Sequence, residues 1–224
     1  MRKAFLLVLA IALVACDGQK QTVSTAASPA IPAPPAQSSK PRIVFLGDSL
    51  TAGLGLSSDQ SFPSLIGKKL RDSGLDYEVG NAGVSGDTSA GGLRRLDWSL
   101  EGDVRVLIVA LGGNDGLRGL PAADLKSNLA TIIKAAKSKG ITVIVAGMEA
   151  PPNFGEDYTR AFRSVYSGLA KEYQVKLIPF LLQGVAGDPS LNQADGIHPN
   201  VRGAQIVADL VWAELEPVLR RPNH

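Results

Sequence analysis

The sequence predicts an α/β domain in which a parallel β-sheet lies between two layers of helices. Short β-branched apolar runs alternate with longer stretches of helical periodicity from Arg42 to Leu219, and this rhythm is the mark of parallel strands joined by helical crossovers. The run at residues 104–111 (VRVLIVAL) is almost continuously apolar, as a central strand covered on both faces requires. Polar, glycine-rich segments follow the apolar runs, in the place where open α/β sheets bind ligands.

Taken in order, residues 42–46 (RIVFL) form a buried strand. A helix follows at 62–71, with Phe62, Leu65, Ile66 and Leu70 on one face and the Lys69 stem along its edge. Residues 77–79 make a short second strand, and 88–98 read as one helix. After the central strand, Pro121 opens a helix to about Lys139, where Leu125, Leu129, Ile132, Ile133 and Ala136 mark the buried stripe and Gly140 stops it. Residues 142–146 are the fourth strand. A helix at 158–172 carries Phe162, Val165, Tyr166 and Leu169 inward. Residues 175–178 form the last strand, and a long loop at 179–199 leads to a final helix at 201–219.

The first 41 residues read differently. Arg2 and Lys3 precede the apolar run AFLLVLAIA, which is too short to span a bilayer and has the form of a secretory signal. It ends in Leu13-Val14-Ala15-Cys16, which resembles a bacterial lipoprotein signal. In that class Cys16 is acylated and residues 1–15 are removed. Cys16 is the single cysteine, so no intrachain disulfide forms. Asp17 resembles an inner-membrane retention signal of enteric-type bacteria. Residues 16–41 are a tether rich in Ala, Pro and Ser, without apolar periodicity. The expected organisation is therefore signal 1–15, lipidated tether 16–41 and folded domain 42–224, anchored to a membrane and facing the periplasm as a monomer.

The chain of 224 residues has 23 Lys and Arg against 21 Asp and Glu, a formal charge of +2. Arg2 and Lys3 account for that excess. No basic stripe interleaved with aromatics appears, so no nucleic acid is expected. The pairs Lys68-Lys69 and Arg94-Arg95 read as solvated helix faces.

Four segments carry the chemistry: Gly47-Asp48-Ser49-Leu50, Gly83-Val84-Ser85-Gly86-Asp87, Gly112-Gly113-Asn114-Asp115 and Asp195-Gly196-Ile197-His198-Pro199. Of the two histidines, His224 ends the chain, which leaves His198 as the base for neutral pH. Asp195, three positions earlier, can accept from its Nδ1 and leave Nε2 free to take a hydroxyl proton. Asp195 could instead cap the following helix, with His198 a surface residue. Ser49 leaves the first strand between Gly47 and Gly53, as a nucleophile or only as a helix cap. The Ser49 and Gly86 N–H groups and the Asn114 amide can face a developing oxyanion; Asn114 could close an Asx turn instead, but its place directly after the strongest strand, behind two glycines, favours the site. No Gly-Lys-Ser/Thr, G-x-G-x-x-G or G-x-S-x-G motif is present. No set of side chains has metal-ligand spacing, so neither metal nor cofactor is expected.

These four segments resemble the blocks of the SGNH (GDSL) hydrolases, and the likeness covers nearly all of residues 42–219. It is nearest to the bacterial thioesterase I, protease I and lysophospholipase L1 group and related arylesterases, through Asn81-Ala82, residues 85–89 and residues 111–119. The resemblance implies a three-layer flavodoxin-like fold with five parallel strands in the order 2-1-3-4-5. It implies two-step hydrolysis of medium-length acyl or aryl esters or thioesters, lysophospholipids included, by Ser49, His198 and Asp195, with Asp48 bracing the nucleophile loop. It also implies a mobile segment at 116–120. Leu117, Arg118, Met148 and Phe154 are candidates for the acyl pocket or that segment, or are ordinary packing residues. A carbohydrate O-acetyl esterase, and a noncatalytic ligand-binding lipoprotein, are the competing readings.

Overall fold

The computed structural model describes residues 40–220, and the expected signal and most of the tether lie outside them. Five strands, β1 (Arg42–Gly47), β2 (Glu78–Gly83), β3 (Val104–Ala110), β4 (Thr142–Ala146) and β5 (Lys176–Ile178), form one parallel sheet. Its order is β2-β1-β3-β4-β5, as the resemblance implied. The helices are α1 (Ser49–Ala52), α2 (Phe62–Asp72), α3 (Ser89–Arg94), α4 (Leu96–Ser99), α5 (Gly113–Leu117), α6 (Ala122–Ser138), α7 (Glu156–Tyr173) and α8 (Val201–Leu219). Helices α2 and α8 pack together, while α6 packs against α3 and α7. The core sits where these layers meet the sheet, around Phe45, Leu107, Ile108, Ile144, Phe162 and Val211, each fully buried.

Topology positions the site. The strand order reverses between β1 and β3, where a crevice opens at the carboxyl ends of the strands. Gly47 is level with Gly83 of β2 and Ala110 of β3, so the chain leaves all three strands at one height. The described chain enters β1 at the opposite, amino edge. Helix α8 begins beside the crevice and, as a crossover-type helix following a carboxyl-edge loop, runs back toward that edge.

Two elements differ from expectation. Strand β2 covers Glu78–Gly83 rather than 77–79, because Gly80, Asn81 and Gly83 carry no apolar signal yet pair along β1. Asn81 Nδ2 also donates to Thr51 O at 2.9 Å. The single helix expected at 88–98 is two, capped by Thr88 and divided at Arg95 (φ −108°, ψ 12°). The boundaries of α8 match the periodicity, and its N-cap is Asn200, which accepts from the Arg202 and Gly203 N–H groups.

Candidate active site

Asp48 ends the turn after β1 as the N-cap of α1, accepting from the Leu50 N–H at 3.0 Å. That places Ser49 at the first helical position, with its hydroxyl toward the crevice and its N–H among the unpaired donors of a helix start. Ser49 Oγ lies 2.8 Å from His198 Nε2, although 149 positions separate them in the chain. His198 Nδ1 lies 2.7 Å from Asp195 Oδ2. A carboxylate only accepts, so Nδ1 carries the proton and Nε2 is left to accept from the serine.

The loop is built for this. Asp195 Oδ1 accepts from the N–H groups of Ile197 and His198 at 2.9 and 3.0 Å. These bonds, with the imidazole, hold its carboxyl at about 2, well below the usual value. The turn is closed by Gln193 N–H to His198 O at 2.7 Å. Asp195 therefore does not cap α8, a role held by Asn200.

On the other side of Ser49, residues 84–87 form a turn closed by Asp87 N–H to Val84 O at 3.1 Å. Gly86 adopts φ +84°, which only glycine enters without strain, and its carbonyl accepts from Arg118 Nη2 at 2.9 Å. Among the described residues, neither the Ser49 nor the Gly86 N–H has an intramolecular acceptor. Asn114 follows β3 within α5. Its Nδ2 donates to Asp87 O at 2.9 Å and lies 3.4 Å from Asp48 Oδ2. One amide hydrogen is thus committed, and the second is held only by a long contact.

Two buried carboxylates support this set. Asp115 accepts from the Ser89 N–H and hydroxyl at 2.8 and 2.5 Å, and so fixes α5 against α3. Asp48 is 2% exposed. Burial pushes its carboxyl up to about 6, against the Leu50 N–H bond and the nearby His198, which both lower it. Gly112 has φ +116°, and a Cβ there would lie 2.0 Å from Tyr166 Oη, so only glycine allows β3 to turn into α5.

These groups open on a cleft of about 680 Å³. Ser49, Gly86, Asn114, Asp48 and His198 line it, with Leu117 and Met148. Arg118 and Phe154 do not: Arg118 is drawn to Gly86 O, and Phe154 packs on Tyr158 at 5.4 Å and against Gly119. The sequence reading missed Phe180, Leu182 and Ala186, apolar lining from the long loop after β5, and Ile197 beside the histidine. The loop carrying Phe180, Leu182 and Ala186 lacks periodicity, so no local pattern pointed to them, while Ile197 lay in a block read only for its aspartate and histidine. It also placed Arg95 in solvent, whereas the Arg95 side chain is 17% exposed and pairs with Asp87 at 2.6 Å. Cys16 and Asp17 fall outside the described residues. Among the described residues, no group of three or more His, Cys, Asp or Glu side chains is placed to hold a metal ion, and no helix is long and apolar enough to cross a membrane.

The profile of the GDSL-like Lipase/Acylhydrolase family matches residues 45–206. The chain is 43% identical over 184 residues to Esterase TesA of Pseudomonas aeruginosa, covering 82% of this chain and 92% of that protein. It is 37% identical over 183 residues to Thioesterase 1/protease 1/lysophospholipase L1 of Escherichia coli, covering 81% and 85%. The crystal structure of TesA superimposes with a TM-score of 0.76 at 43% identity, over 80% of this chain and 99% of that one.

Proposed function

The chain belongs to the GDSL-like lipase/acylhydrolase family, and on that premise we propose that it hydrolyses medium-length acyl or aryl esters and thioesters through a Ser49 acyl-enzyme. The observation that carries the proposal is the unbroken relay from Ser49 Oγ through the imidazole of His198 to Asp195, at 2.8 and 2.7 Å.

In the first step Ser49 Oγ attacks the carbonyl carbon as its proton passes to His198 Nε2. The carbonyl oxygen becomes an oxyanion facing the Ser49 and Gly86 N–H groups and the Asn114 amide. Collapse expels the alcohol or thiol, which takes the proton from His198. A water then attacks the acyl-enzyme by the same route and regenerates the serine. Asp195 stays ionised, fixes the ring and stabilises the imidazolium.

The cleft supports an acyl or aryl group over a sugar. Leu54, Leu117, Met148, Ala150, Pro151, Phe180, Leu182 and Ile197 dominate its walls, and of its two carboxylates Asp48 is buried and Glu149 is paired with Arg163 at 3.1 Å. Lysophospholipids fall within this class. The lipid-anchored, periplasm-facing placement rests on the Cys16 signal. Names borne by the relatives, esterase and thioesterase/lysophospholipase, agree with this chemistry.

The test is a profile of p-nitrophenyl esters from acetyl to palmitoyl, with acyl-CoA, lysophospholipid and acetylated glycan, on the wild type and Ser49→Ala. A maximum at intermediate chain length that Ser49→Ala abolishes is expected. Activity retained in Ser49→Ala removes the mechanism, and a maximum at acetyl with glycan turnover moves the assignment to an O-acetyl esterase. Cys16→Ser should release the protein from membranes, and unchanged membrane retention refutes the anchor.

A further inference from the structure

We propose that Arg95 is a positioning residue that sets the oxyanion donors against the nucleophile, an inference that rests on Ser49 being that nucleophile. Its guanidinium reaches three separate segments. Nε donates to Asp87 Oδ2 at 2.6 Å, Nη1 to Ala82 O at 2.7 Å and Nη2 to Gly47 O at 2.7 Å. Two of these acceptors are main-chain carbonyls at the carboxyl ends of β1 and β2, and Gly47 is two positions from Ser49. The third is the side chain of the residue that follows Gly86.

The connections continue on both sides. Gly47 O also accepts from the Val84 N–H at 3.1 Å, and Val84 O accepts from the Asp87 N–H at 3.1 Å. The turn displaying the Gly86 N–H is therefore fastened at its start to β1 and at its end, through Asp87, to Arg95. Asp87 O receives Asn114 Nδ2 at 2.9 Å, so holding Asp87 also orients the Asn114 amide. One guanidinium thus ties together the strand end before Ser49, the Gly86 turn and, through Asp87, Asn114.

The local chain is shaped for this. Arg95 divides α3 from α4, which frees its side chain to turn down on the strand ends. A Cβ at Gly91 would lie 2.5 Å from Asp87 Oδ1, so α3 approaches the carboxylate closely. Three acceptors in three directions suit the planar fork of arginine, and a lysine ammonium on a flexible stem cannot match them. Arg95 touches neither substrate nor the reacting oxygen, so its effect must appear in the transition state rather than in substrate binding.

The experiment compares wild type, Arg95→Lys, Arg95→Met and Asp87→Asn, each first shown to unfold cooperatively. Displacing catalytic groups by about 1 Å costs on the order of 10²-fold. We expect kcat to fall about 10- to 100-fold in Arg95→Lys and further in Arg95→Met, with KM within about threefold. Inactivation by a p-nitrophenyl alkylphosphonate, which presents a tetrahedral anionic centre, should slow in parallel with kcat. The pH dependence of kcat/KM should keep its wild-type form, since the His198–Asp195 pair is untouched. Asp87→Asn decides the matter if the arginine variants do not fold, because it leaves both carbonyl bonds of Arg95 in place. A kcat within twofold of wild type in Asp87→Asn and in any folded Arg95 variant overturns the proposal, as does a rise in KM alone. Either result with an inactive Ser49→Ala sinks only the role of Arg95. An active Ser49→Ala sinks the reading beneath it.

Discussion

Replacing Asp48 with asparagine should raise stability relative to the wild type as pH climbs from acid to neutral, with no gain in acid. Asp48 is 2% exposed and its carboxyl stands at about 6 instead of 3.8, mainly because burial disfavours the charged form. The folded protein therefore binds this proton more tightly than the unfolded chain. Below pH 3.8 both states hold the proton and folding incurs no penalty. As pH rises from 3.8 to about 6 the unfolded chain ionises first, and stability falls. Above about 6 the full cost is present, about 3 kcal/mol for a displacement of this size. Asparagine is neutral throughout and keeps an oxygen for the Leu50 N–H, now bonded at 3.0 Å. Its new amide group meets Asn114 Nδ2, now 3.4 Å from Oδ2, which subtracts a roughly constant amount. Urea unfolding of both proteins at half-unit steps from pH 4 to 8, followed by circular dichroism, gives the difference in stability directly. That difference should move in favour of Asp48→Asn by about 2.5 kcal/mol across the range, most of it below pH 7. A difference that stays flat with pH, or moves in favour of the wild type, refutes the reasoning.

Four further outcomes follow from the structure. Asp195→Asn should lower kcat about 10³-fold by releasing the ring and its tautomer, while its melting temperature stays near that of the wild type because the Asp195 side chain is 44% exposed; full activity would show that the relay is not used. Since the Asp195 carboxyl lies at about 2, acid loss of kcat/KM between pH 7 and 4 should not follow its protonation, and a profile of Asp195→Glu with the same acid limb would confirm it. Leu117, 47% exposed at the cleft rim, should as Leu117→Asp lose about tenfold in kcat/KM for octanoyl esters and little for acetyl, read from the ester series, with equal losses on both counting against an acyl contact. Gly112→Ala should cost about 3 kcal/mol or more in urea titrations, from positive φ and overlap with Tyr166, whereas Gly140→Ala, with φ +74° and open space, should cost about 1 kcal/mol.

What the sequence disclosed depended on whether the information was local. Strand β3 was legible because burial on both faces makes Val104–Ala110 apolar almost throughout, and α8 because its stripe repeats over 19 residues. Strand β2 was seen only in part, since Gly80, Asn81 and Gly83 are held by main-chain pairing with β1 and pairing leaves no trace in side-chain type. Ser49, Gly86, Asn114 and His198 stood out because each lies in a short polar block beside an apolar run. Arg95 did not, because a basic pair on a helix looks solvated until its acceptors are brought from 8 to 48 positions away. The apolar wall formed by Phe180, Leu182 and Ala186 was hidden for the same reason, in a loop whose hydrophobic residues follow neither strand nor helix spacing.

The parallel sheet gives the domain a front and a back. Substrate meets it at the front, while the chain is joined to whatever precedes β1 and follows α8 from the back. A purification handle, a linker to a solid support or a fused protein can therefore be added at either end without standing in the doorway. If the chain is moored to a bilayer through the residues before β1, as proposed, the point of attachment lies at the sheet edge opposite the entrance, so the mooring does not itself cover the cleft.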